Sequence, residues 1–149
     1  MKKILFFYGT VLAIASSASA QQNEIYVKDS AAIGGYDVVA YFKEGKPVKG
    51  SAEFSVSYKG VNWFFTNKEN AEVFKAAPEK YEPQYGGYCA FGCSQGHKAK
   101  TNPDAWTIVD GKLYLNYNIK VREEWNKDQQ GYIKKANANW NDIKYNKYP

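Results

Sequence analysis

Two cysteines and one histidine are the only residues of their kinds in the chain. All three fall in one run, Tyr85-Gly86-Gly87-Tyr88-Cys89-Ala90-Phe91-Gly92-Cys93-Ser94-Gln95-Gly96-His97. Cys89, Cys93 and His97 stand four apart, and on a helix positions i, i+4 and i+8 share one face on successive turns. Two thiolates and an imidazole suit Cu(I) or Zn(II), the soft thiolates favouring Cu(I). A closed structural zinc site wants a fourth ligand, for which Asp104 and Asp110 are candidates without a pattern behind them; a trigonal Cu(I) site needs none. Two other readings stand beside the metal. Cα atoms one helical turn apart are about 6 Å from each other, within disulfide range, and a loop that small stabilises weakly, so Cys89 and Cys93 could form a labile, redox-responsive bond. Alternatively, Cys89 is a small buried residue beside Tyr88 and Phe91 and His97 a surface residue beside Lys98. A thiol enzyme with Cys89 as nucleophile and His97 as base would lack a third, orienting group. No Ser/His/Asp arrangement or phosphate loop is present, so the reading is non-enzymatic.

The compartment bears on those thiols. Lys2 and Lys3 precede an apolar stretch, Ile4 to Ile14, and Ala18-Ser19-Ala20 has the small-x-small form of a cleavage site. Residues 1–20 therefore read as a signal peptide cut after Ala20, too short in its apolar part to span a bilayer. The mature chain, residues 21–149, is expected to be a single exported domain, secreted or periplasmic, with no later membrane span. An oxidising compartment favours disulfides over free thiols unless a metal holds them. Export and the modest net charge of +5, part of which leaves with Lys2 and Lys3, argue against nucleic-acid binding. Two cysteines are too few for a disulfide scaffold, so packing must hold the fold, and 4 Trp, 13 Tyr and 8 Phe supply the material.

The elements that would position the run alternate hairpins with helices, an α+β class. Residues 21–32 read as an extended lead-in, Gly34-Gly35-Tyr36-Asp37 as a turn and Val38–Phe42 as a short buried strand. Glu53–Tyr58 alternates, Lys59-Gly60 turns, and residues 61–66 return. Asn67 caps a helix over about 68–76, and Pro78 closes it or restarts a short turn ending at Tyr81. A second hairpin runs from Trp106–Val109 through Asp110-Gly111 to Leu113–Tyr117. Asn118 caps a helix carrying Val121 and Trp125, and a last helix covers about 129–143. A shift of 51 residues carries Gly60 to Gly111, Trp63 to Tyr114, Asn67 to Asn118, Phe74 to Trp125 and Tyr81 to Tyr132. This points to a duplicated ββα unit, with the Cys segment as the connection between copies, where a cleft for a small ligand or a protein partner would form.

The stretch Tyr58-Lys59-Gly60-Val61-Asn62-Trp63-Phe64-Phe65, with Phe74 and Pro78-Glu79-Lys80-Tyr81, resembles the YHS domain. Ile33-Gly34-Gly35-Tyr36-Asp37, Tyr85-Gly86-Gly87-Tyr88-Cys89-Ala90 and Trp106 to Tyr117 are similar to its exported, stand-alone branch, so the likeness covers about residues 30–140. The resemblance implies heavy-metal handling, copper above all, since such domains occur in copper-transporting ATPases. In the metal-associated branch, cysteines end the second hairpin strand and sit in the following helix. Aligned through Gly60, those places hold Thr66 and Asn70, which are not soft ligands. Cys89 matches the exported branch; Cys93 and His97 stand outside its pattern. The expectation is an exported binding protein for copper, then zinc, through Cys89, Cys93 and His97, or else a thiol or interaction module.

Overall fold

The computed structural model describes residues 23–148, so the signal-peptide reading of residues 1–20 lies outside them. A small antiparallel ribbon opens the fold, β1 (Val27–Lys28) with β2 (Ala31–Ala32). Asp29 and Ser30 turn it with φ of 53° and 63°. Helix α1 (Val38–Glu44) follows, where the sequence suggested a strand over Val38–Phe42. The β-branched pair Val38-Val39 misleads; Asp37 decides, because its carboxylate accepts from the backbone N–H groups of Val39 and Ala40 as an N-cap. Gly45, left-handed at φ 66°, closes the helix.

The first hairpin pairs β3 (Ser51–Tyr58) with β4 (Val61–Phe65), turned at Lys59-Gly60. Both turn residues are left-handed, φ 52° and 72°, as a two-residue primed turn requires. The Asn67 side chain accepts from Asn70 N and starts α2 (Lys68–Ala76), and Pro78 opens the single turn α3 (Pro78–Tyr81). After the Cys segment, β5 (Trp106–Val109) and β6 (Lys112–Leu115) form the second hairpin, turned by Asp110 and Gly111 at φ 51° and 73°. Asn118 caps α5 (Ile119–Asn126) through Val121 N, and Asp128 caps α6 (Gln129–Ile143) through Gly131 N. Among the described residues the result is an α+β fold of three two-stranded antiparallel sheets with packed helices.

The two hairpin–helix units are built alike down to ring geometry. Trp63 and Phe74 stack with centroids 5.2 Å apart and planes at 30°; Tyr114 and Trp125 stack at 5.2 Å and 37°. All four side chains are buried in one continuous core. The likeness also runs further back than a ββα unit. Ile33-Gly34-Gly35 has φ of 44°, 69° and 81°, and Tyr85-Gly86-Gly87 has 57°, 62° and 85°. Each left-handed triplet is followed by a tyrosine and then by a helix N-cap, Asp37 in one copy and Cys89 in the other. The repeating unit is therefore turn, helix, hairpin, helix.

These triplets bring distant backbone together. A Cβ on Gly86 would lie 1.8 Å from the carbonyl oxygen of Glu24, and Tyr26 N donates to Gly86 O at 2.9 Å. Neither backbone can yield without losing that bond. Gly86→Ala is expected to destabilise the protein by about 3 kcal/mol or more, from positive φ and overpacking together. Gly60→Ala, left-handed but with open space around it, should cost only about 1 kcal/mol. Urea denaturation of both variants separates the two effects; equal losses would show that crowding at Glu24 contributes nothing.

Candidate functional site

Cys89, Cys93 and His97 do not share a helix face. Helix α4 spans only Ala90–Ser94. Cys89 precedes it as the N-cap, its sulfur accepting from Gly92 N at 3.4 Å. The helix then stops in a Schellman arrangement: Gly96 N donates to Cys93 O and His97 N to Gly92 O, at 3.1 Å each, with Gly96 at φ 88°. The chain doubles back over Gly92, where an added Cβ would stand 3.2 Å from His97 O. His97 is turned off the helix onto an exposed surface beside Lys98, Asn146, Lys147 and Tyr148. Both cysteines point the other way, into the core, with 2% and 0% of their surface exposed, and both are free thiols.

The surroundings of the sulfurs favour the protonated form. Cys89 donates to Asn116 Oδ1 at 3.5 Å, and that oxygen also accepts from Phe91 N at 3.0 Å. Burial raises the Cys89 pKa above the ordinary thiol value. Burial, with the neighbouring Cys89 adding to it, pushes Cys93 up to about 12. A thiolate is the metal ligand and the nucleophile, and neither cysteine is set up to be one. Among the described residues no group of three His, Cys, Asp or Glu side chains could hold a metal ion. The three-ligand set Cys89, Cys93 and His97 thus does not fit the metal for which its spacing argued. What remains of it is the Cys89/Cys93 pair, one turn apart, with Cys93 N donating to Cys89 O at 2.9 Å.

Thr66 and Asn70, the places of the cysteines in the metal-associated branch, are committed elsewhere. They converge on Asp37, which is fully buried. Asp37 Oδ2 accepts from Thr66 N and Oγ1 at 2.9 Å each and from Asn70 Nδ2 at 2.8 Å; Oδ1 accepts from Val39 N and Ala40 N at 2.8 and 3.1 Å. Lys43 Nζ donates to Asn70 Oδ1 at 3.3 Å. Asp37 read in the sequence only as a turn residue. Its signal was the N-cap position before an apolar run.

A cleft of about 310 Å³ opens between the tip of the first hairpin, the connection Glu82–Gly86 and α6. Lys59, the left-handed turn residue, reaches into it and bridges two carboxylates, Glu24 Oε1 at 3.0 Å and Glu82 Oε2 at 3.3 Å. Glu24 and Glu82 are largely covered, with 14% and 17% of their side-chain surface exposed. From α6 come Asn137, Trp140 and Asn141. The hydroxyl of Tyr85 donates to Asn137 Oδ1 at 2.9 Å, and the Trp140 ring stands edge-on to Tyr85 at 5.9 Å. The left-handed Tyr85-Gly86-Gly87 triplet thus fixes both the floor of the cleft and the start of α4. Lys59 read in the sequence only as a turn and Tyr85-Gly86 only as part of the Cys motif, because the cleft residues come from four separate segments with no local spacing.

The family model for the YHS domain matches residues 39–85, which cover α1, the first hairpin, α2 and α3. No curated protein and no solved structure matches the chain.

Proposed function

This chain is a YHS domain-containing protein, and on that premise we propose that it is an exported, non-enzymatic binding protein whose ligand site is the cleft at the junction of its two units. The observation that carries the reading is the cleft itself: a concave site with ion-paired carboxylates, a positioned amide and an indole. Binding sites of small molecules combine such concavity with a few fixed polar groups. Export rests on the Lys2-Lys3 start, the apolar Ile4–Ile14 stretch and Ala18-Ser19-Ala20. Among the described residues no helix is long and apolar enough to cross a membrane.

Soft-metal binding, copper before zinc, is a second reading. It rests on the Cys89/Cys93 pair alone, two free thiols on one turn, and leaves His97 out. The two readings separate by NMR on the isotope-labelled mature chain. Under the cleft reading, a panel of water-soluble small molecules shifts the resonances of residues 82–86, those of residues 137–141 and the Trp140 indole N–H together. Shifts confined to Cys89–His97, or tight anaerobic uptake of Cu(I) abolished by Cys93→Ser, would replace the cleft with the thiol pair.

A further inference from the structure

Two carboxylates and one ammonium line the cleft, and the ammonium is already shared between both carboxylates. The charge inside is therefore left negative by one carboxylate. Burial holds the Glu82 carboxyl above its usual range in spite of Lys59, with Glu24 and Glu79 adding to the effect. An ionised pair of carboxylates so placed is stabilised by a second cation. An anionic ligand finds no free donor of opposite charge here, because Lys59 is the only cationic residue of the lining. The indole of Trp140 offers a negative face to a cation. Asn137 is held by the Tyr85 hydroxyl, which leaves its amide Nδ2 as a donor for a ligand's oxygen.

Resting on the cleft reading above, we infer that the ligand is a small organic cation, an ammonium-bearing molecule set against Glu24, Glu82 and the Trp140 indole. The volume of 310 Å³ lies at the small end of ligand pockets and admits a short diamine or a choline-like alcohol.

Calorimetric titration of the mature chain with putrescine, choline, the uncharged choline isostere 3,3-dimethylbutan-1-ol and glucose tests the charge requirement directly. At least one of the two cations is expected to bind saturably, about tenfold or more tighter than the isostere, and to weaken as NaCl is raised. Glu82→Gln is expected to weaken that binding about tenfold, and Glu24→Gln to weaken it in the same direction. Urea denaturation shows whether each variant remains folded, and Trp140→Leu supplies an independent loss that leaves the ion pairs intact. Glucose or the isostere binding as tightly as the cations, with shifts at residues 82–86 and 137–141, would overturn the cationic class and keep the cleft. Cation binding untouched by all three substitutions would overturn the placement. Failure of all four probes to bind would overturn the inference and count against the cleft itself.

Discussion

Asp37→Ala is expected to lower the unfolding free energy by about 4 kcal/mol, a large share of the roughly 5–15 kcal/mol that holds a typical domain. The carboxylate is fully buried and takes five hydrogen bonds from three segments: the first turn of α1, the end of β4 and the first turn of α2. Truncation removes the α1 cap, worth about 1 kcal/mol. It also strands the N–H of Thr66, at about 1–3 kcal/mol for a buried donor left without a partner, and takes from the Asn70 amide its shorter bond, leaving the one to Thr66 Oγ1 at 3.3 Å. Part of that cost is recovered where water enters, so the sum is below the total of its parts. Asp37→Asn separates charge from shape. An amide has one accepting oxygen, so it can serve either the α1 cap or the Thr66/Asn70 side, and its own NH₂ then faces donors on the other. It is expected to cost about 2–3 kcal/mol. Asn70→Ala removes one donor and leaves four, and should cost about 1 kcal/mol. Urea midpoints for the three variants give the ordering; an Asp37→Ala variant as stable as the parent would show that the knot is not what joins α1 to the hairpin.

The same residue marks the limit of what was legible from the sequence. Both hairpins and three helices were legible because their signals are local. Lys59-Gly60 and Asp110-Gly111 can both be left-handed, and Asn67, Asn118 and Asp128 each accept from a backbone N–H within their own first turn. Val38–Phe42 was misread because its apolar run carries no period. The evidence for a helix lay outside the run, in Asp37 before it and Gly45 after it. The Cys89–His97 face failed for a related reason. Spacing by four is a ligand pattern only while the helix lasts, and Gly96 ends α4 before His97 is reached. A cleft at the connection between the copies was expected, but its lining had no sequence signal, since Glu24, Lys59, Glu82 and Trp140 are joined only by the packing of α6 on that connection. The duplication was visible through its aromatic residues. Its earlier half was hidden because Asp37 and Cys89 play the same capping part with different chemistry.

That buried chemistry gives the protein a steep alkaline limit. Cys93 is pushed up to about 12 by burial and by Cys89 beside it; Tyr88 is raised to about 12 by burial, with Tyr148, Tyr26 and Cys93 contributing. Burial raises Cys89, Tyr41, Tyr85 and Tyr114 as well. In each case the folded state holds its proton more tightly than the unfolded chain. The stabilisation is fully present below the unfolded pKa, near 9 for the thiols and 10 for the phenols, and is lost as pH rises through the folded values. Lys98 acts in the opposite sense. Burial lowers it to about 8, so between about pH 8 and 10.5 the unfolded chain binds the extra proton and stability rises with pH. The single lysine offsets the first thiol and is then outnumbered. Cys93 alone, displaced by about three units at 1.36 kcal/mol each, amounts to a loss on the order of 4 kcal/mol between pH 9 and 12. Urea midpoints are therefore expected to hold or rise slightly from pH 7 to 8.5 and to fall steeply above about pH 9.5. Tyrosinate absorbance should appear in step with unfolding. Cys93→Ala, already weakened by the lost packing, should show a shallower fall across the same range. A midpoint flat from pH 7 to 11, or a Cys93→Ala variant as steep as the parent, would mean that these side chains reach water in the folded protein and that the thiol pair is not part of its sealed core.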